Sequence, residues 1–193
     1  MRVFTLSAIV ALLLPYTAFS QALISRQAVS SVSLPILATS PNVESDKVSF
    51  YYGKKPLLVG NDGSAGLGGL HVFSPTERSK GRFLELFSKV TGRTKVVSTV
   101  YSIGEEDYLV TFSTPEHLLR FYELPSGKEV KNSEKFILAE FSALCGWRSP
   151  QTNAQYIYLF GKKEVRMYLL REQKNGVEAV EVSISHYWMC GFC

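Results

Sequence analysis

Leu70-His71-Val72-Phe73 returns in kind as Leu119-Arg120-Phe121-Tyr122 and as Val165-Arg166-Met167-Tyr168. Each tetrad reads apolar, basic, apolar, aromatic, the period-two alternation of a β-strand. Their starts are 49 residues apart (119 minus 70) and 46 apart (165 minus 119). A strand-like run precedes each: Leu57-Leu58-Val59, Tyr108 to Phe112 and Tyr156 to Phe160. Another lies before that, at Val48 to Tyr52, Val96 to Ile103 and Phe141 to Trp147. A fourth follows, at Phe83 to Phe87, Lys135 to Leu138 and Val177 to Ile184. Four strands in a unit of this period are the sequence signature of a propeller blade. The competing reading is one antiparallel sandwich, and the regular spacing favours the propeller. Propellers close with about four to eight blades. The expectation is therefore an all-β fold of four-stranded antiparallel blades, about three present, forming an incomplete propeller with open sheet edges through which the chain self-associates.

Around the first tetrad, Gly60 to Gly69 is too glycine-rich for a helix. It can be a backbone cradle for phosphate or a loop joining two strands. Phosphate cradles with a known mechanism precede a helix N-terminus. Here a strand follows and no Gly-Lys-Ser/Thr is present, so the hairpin loop is expected, with Asn61 and Asp62 as its candidate calcium ligands.

The termini differ from the repeat. Met1-Arg2, an apolar run from Phe4 to Leu14 and Ala18-Phe19-Ser20 read as a signal peptide over residues 1–20, too short to span a bilayer. This predicts a secreted, extracellular protein with no membrane association after cleavage. Residues 21–46, rich in Ser, Val, Ala and Pro, read as a linker or propeptide, and 47–184 as the propeller part. Residues 185–193 lose alternation and charge, which suggests a non-family tail on a truncated chain. Formal charge is +4, or +3 once Arg2 leaves with the signal peptide. The basic residues are scattered, which argues against nucleic acid. Three cysteines leave one unpaired. Cys145 reads as a buried small hydrophobe, and Cys190-Gly191-Phe192-Cys193 has redox spacing without the helix that a thioredoxin-type site needs. His71, His117 and His186 share no metal-ligand spacing, and Glu105-Glu106-Asp107 reads as a solvated loop.

Lys54 to Phe73, Gly92 to Val97, and Phe141 to Lys163 together resemble the β-propeller phytases, most closely the fungal 3-phytase-like members. The resemblance spans roughly residues 46–184 and the N-terminal half of such a propeller. It implies a calcium-dependent phosphomonoesterase that releases phosphate from phytate, with cations gathering the phosphates at one end of the channel. Phytate is a dense polyanion, so fixed cations and calcium suit it chemically. On the resemblance, Gly161-Lys162-Lys163-Glu164 matches a family turn. Lys162 or Lys163 then binds phosphate, Glu164 ligates calcium or orients water, and Arg148 faces the channel. The chain also departs from the pattern. Asp46 is the single acid left of the first acidic motif, Lys95 to Tyr101 lacks the metal-binding acid and arginine of the bacterial members, and the glycine-rich loop lacks their lysine. The alternative is a non-catalytic propeller fragment that binds anions or another half-propeller.

Overall fold

A computed structural model describes Val43 and residues 45–186, apart from Lys54, Gly66, Leu67, Pro115 and Asn132. The described residues belong to one compact unit, Ile36–Cys193. The predicted signal peptide, most of the predicted linker, Cys190 and Cys193 lie outside them.

Twelve strands form three four-stranded antiparallel sheets, and the described residues contain no helix. Blade 1 holds β1 (Val48–Tyr51), β2 (Leu57–Asp62), β3 (Gly69–Ser79) and β4 (Arg82–Val90). Blade 2 holds β5 (Arg93–Ile103), β6 (Glu106–Thr114), β7 (Leu118–Leu124) and β8 (Lys135–Phe136). Blade 3 holds β9 (Phe141–Arg148), β10 (Gln155–Gly161), β11 (Glu164–Gln173) and β12 (Gly176–His186). In each sheet the strands lie in sequence order, each paired with the next. This is the incomplete propeller-like fold expected from the repeat. The last strand runs through Ser185 and His186, two residues past the boundary drawn from the loss of alternation.

The tetrads fall on the third strands, and the repeat extends to an acid that the sequence did not advertise. The aromatic of each tetrad pairs with a glutamate: Phe73 with Glu85, Tyr122 with Glu129 and Tyr168 with Glu181. That glutamate meets the basic residue of the same tetrad, as His71–Glu85 at 2.8 Å, Arg120–Glu129 at 3.7 Å and Arg166–Glu181 at 3.7 Å. Each blade thus sets a carboxylate against the basic residue of its own tetrad.

Blade packing explains the hydrophobic patterns. Blade 2 lies between the other two. One of its faces joins Val97, Leu109 and Tyr122 to Tyr51, Leu57, Val59, Leu70 and Val72 of blade 1. The other joins Val96, Val110, Phe112 and Phe121 to Ile157, Leu159, Tyr168 and Leu170 of blade 3. With both faces covered, Tyr108 to Ser113 is buried without a break. β10 alternates buried and half-buried because only one of its faces is covered.

The glycine-rich segment resolves differently from its sequence reading. β2 continues to Asp62, with Asn61 paired to Leu70 and Asp62 to Gly69, so both candidate ligands lie on a strand instead of in the loop. Gly60 lets Ser45 approach closely: a Cβ there would lie 2.7 Å from Ser45 Oγ and displace that hydroxyl. At Gly69 a Cβ would collide with the Lys89 carbonyl oxygen. These glycines permit close approach of neighbouring chain, as strand glycines often do.

Candidate functional site

The first strand of each blade begins, and its second strand turns into the third, at the same end of the sheet. Here called the near rim, this end carries the starts of β1, β5 and β9 and the ends of β2, β6 and β10. A cleft of about 290 Å³ opens there between Asp46, Lys47, Lys95, Thr114, Glu140, Ser142 and Lys162, floored by Phe141. A hollow of about 380 Å³ adjoins it, shares Asp46 and Lys95, and adds Ser45, Asn61, Arg93 and Thr94. Blade 1 supplies Lys47, blade 2 Lys95 and blade 3 Lys162. Among the described residues no carboxylate lies within 4 Å of any of these three ammonium groups, although Asp46 and Glu140 line the same walls.

Asn61 holds this rim together. It is fully buried. Its Nδ2 donates to Asp46 Oδ1 at 2.7 Å and to the Thr94 carbonyl at 3.0 Å. Its Oδ1 accepts from Lys47 N at 2.8 Å and Ser45 Oγ at 3.3 Å. The amide therefore ties the segment entering β1 to β2 and β5, and so sets where Asp46 and Lys47 stand.

The other residues singled out in the sequence have separate employment. Asp62 accepts from Ser64 N at 2.9 Å and from the Ser64 hydroxyl, and lies 3.5 Å from His71 Nε2. Burial works to raise its carboxyl pKa, but the two Ser64 bonds and His71 outweigh it and hold the group below the ordinary carboxylate range. Glu164 is bound by Arg166 Nε at 2.9 Å and faces His186 at 3.6 Å. Burial disfavours the Arg166 charge, and Glu164 more than restores it, so that guanidinium is held more firmly protonated than usual. Lys163 is exposed on the turn and does not line the cleft.

Arg148 stands at the opposite end of β9 from Phe141, about 23 Å away along an eight-residue strand. There it donates to the carbonyls of Tyr101 and Ser102 and to Asn153 Oδ1 at 3.2 Å, fastening blade 3 to blade 2. The structure thus gathers Lys162 and Asn61 at the near rim and leaves Arg148 at the far one.

Calcium, which the resemblance implies, finds no ready cage in Asn61, Asp62 and Glu164. The side-chain oxygen of Asn61 and the carboxylates of Asp62 and Glu164 already accept from protein donors, and Glu164 belongs to another blade. Among the described residues no group of three His, Cys, Asp or Glu comes together as a metal site. The histidines serve locally: His71 as above, His117 Nδ1 2.9 Å from the Ala139 carbonyl oxygen, and His186 beside Glu164. In the acidic loop Glu105 and Glu106 are exposed as expected, while Asp107 accepts from Tyr51 Oη and Ser102 N, each at 2.8 Å, and so ties blade 2 to blade 1. Cys145 is exposed, contrary to the expectation of a buried thiol, because its face of blade 3 is uncovered.

Lys47, Lys95 and Glu140 were not found from the sequence, though a signal existed. Each directly precedes the first apolar residue of an inner strand, with spacings of 48 (95 minus 47) and 45 (140 minus 95) that match the blade period. A change of sign at the third position hides the series. No known family model matches the chain, and no curated protein matches it.

Proposed function

We propose that the near-rim cleft binds the phosphate groups of a polyphosphorylated small molecule, and that the chain is a secreted, phytase-like protein. The observation that carries the reading is the convergence of Lys47, Lys95 and Lys162, one from each blade, on one opening, with none of the three ion-paired among the described residues. Three ammonium groups on one frame, none of them ion-paired among the described residues, suit a ligand with several phosphates, since each contact is charge-assisted. Ser142 and Thr114 add hydroxyl donors on the same wall. Phytate is the substrate class that the resemblance implies. Hydrolysis needs an activated water, and Asp46 and Glu140 are the carboxylates this chain offers beside the cleft. If calcium joins the bound phosphate, the carboxylate oxygens beside it are those of Glu140 and the Oδ2 of Asp46, whose Oδ1 already accepts from Asn61.

The test is calorimetric titration of the chain with inositol hexakisphosphate, alongside phosphate release with calcium and with chelator. Lys95→Glu and Lys162→Glu are each expected to weaken binding about tenfold or more, the worth of one charge-assisted bond. Lys128→Glu, outside the cleft, is the control and leaves binding unchanged. Equal loss in the control, or no loss in the cleft variants, defeats the reading. Binding without phosphate release would remove the hydrolase and keep the anion site.

A further inference from the structure

The inner strands open on side chains of opposite charge. Lys47, Lys95 and Glu140 each directly precede the first apolar residue of β1, β5 and β9, and all three line the near-rim cleft. Where blades 1 and 2 present an ammonium group, blade 3 presents a carboxylate. An ammonium group only donates hydrogen bonds, and a carboxylate only accepts them. Phosphate groups, themselves anionic acceptors, find a partner in the first and like charge in the second.

The chain fixes the backbone of Glu140 from both sides. His117, in the left-handed region at φ 56°, donates from Nδ1 to the Ala139 carbonyl at 2.9 Å. Its own carbonyl accepts from Ile137 N at 2.8 Å, and Ala139 N donates to the Ile137 carbonyl at 2.8 Å. On the other side Phe141 is buried in the core. Gly161 lets the Glu140 carbonyl approach, since a Cβ there would lie 2.8 Å from that oxygen. The Glu140 side chain is exposed, and among the described residues its carboxylate has neither an ion pair nor a hydrogen bond. Asp46, the other carboxylate of the cleft, has Oδ1 committed to Asn61. Glu140 thus offers both its oxygens to a ligand.

We infer that Glu140 accepts a hydrogen bond from a ligand hydroxyl, so that the cleft prefers a phosphorylated polyol that keeps free hydroxyls beside its phosphates. Lys47, Lys95 and Lys162 take the phosphates and Glu140 takes the hydroxyl, which makes it a specificity-determining residue. The inference rests on the anion site proposed above and names the substrate class within it. Selection works in two directions at one point. A hydroxyl set against Glu140 donates to a charged acceptor, whereas a phosphate in that place meets like charge. Ser142 and Thr114 on the same wall can donate or accept, so they do not make this distinction. A ring phosphorylated at every carbon has no hydroxyl to turn towards Glu140. It still binds through the lysines, with the carboxylate left unmet.

Calorimetric titration of the full chain in chelator tests this, with thermal unfolding of each variant as the check on folding. Two ligands of equal charge are compared, inositol trisphosphate and its tri-O-methyl ether, which keeps the oxygens and lacks the hydroxyl donors. Wild type is expected to bind the trisphosphate about tenfold more tightly, as one hydrogen bond to a charged acceptor allows. Glu140→Ala should bind the two alike. Glu140→Lys should bind inositol hexakisphosphate about tenfold more tightly than wild type does. Equal binding of the matched pair by wild type, or a preference that survives in Glu140→Ala, would overturn the role of Glu140 and leave the anion site standing. If none of the three ligands binds, the anion site itself fails and this inference with it.

Discussion

Tyr122 and Tyr168 hold the same place in successive blades, yet their hydroxyl groups have different fates. Tyr168 Oη donates to Glu181 at 2.7 Å. Tyr122 Oη is buried with no neighbour for its hydroxyl among the described residues but the Thr111 hydroxyl, and neither meets hydrogen-bond geometry. Blade 1 dispenses with the group altogether and uses Phe73. A hydrogen bond to a charged acceptor contributes about 1.5–3 kcal/mol, whereas removing an unmet polar group is nearly neutral. Tyr168→Phe is therefore expected to lower stability by about 2 kcal/mol, and Tyr122→Phe to change it by less than about 0.5 kcal/mol, read from urea midpoints at constant slope. Equal losses would show that Tyr122 has a bound water or another partner. Asn61 makes the opposite case. Asn61→Leu leaves Lys47 N and the Thr94 carbonyl without their present partner, at about 1–3 kcal/mol for each group left unmet. It should also weaken anion binding, since Asp46 and Lys47 lose the amide that places them.

At the scale of elements, the strands were legible because each blade is made by residues near one another in sequence. Alternation marks a strand, a polar gap marks a turn, and the tetrads set the period; nothing distant is required. The third strands could be aligned without knowing what they face. The cleft was harder to read, because it is made where the starts of β1, β5 and β9 converge, and no local pattern says that Lys47, Lys95 and Glu140 share a wall. The acids misled for a related reason. Sequence displays Asp62 and Glu164 as carboxylates but not whether Ser64, His71 and Arg166 already occupy their oxygens. Gly60 looked like the edge of a loop, although its role is to let Ser45 approach the strand. Of the residues proposed from the sequence, Lys162 reached the cleft because its turn lies at the near rim, and Arg148 missed it because β9 carries it to the far one.

For the molecule as a whole, phenol groups buried between blades set the alkaline limit. Tyr51 is raised to about 12, first by burial and then by its bond to Asp107. Tyr108, Tyr122 and Tyr168 are also raised, burial being the leading cause in each. An unfolded tyrosine ionises near 10. Above that pH the unfolded chain releases protons that the folded one retains, so stability falls as pH rises. Below about pH 10 this contribution is fully present, and for Tyr51 it is lost through about pH 12. The unfolding temperature should therefore drop from about pH 10 upward, and Tyr51→Phe should make that drop shallower, measured by thermal scans across pH. A flat profile would mean that these phenols are wet. The sequential order of strands within each sheet has one more consequence, for synthesis. Every strand in a blade finds its partners in the adjoining hairpin, so a blade needs no chain that has yet to be made. As the polypeptide leaves the ribosome, blade 1 can close its hydrogen bonds while blade 3 is still untranslated, and each finished sheet then offers a template face to the next.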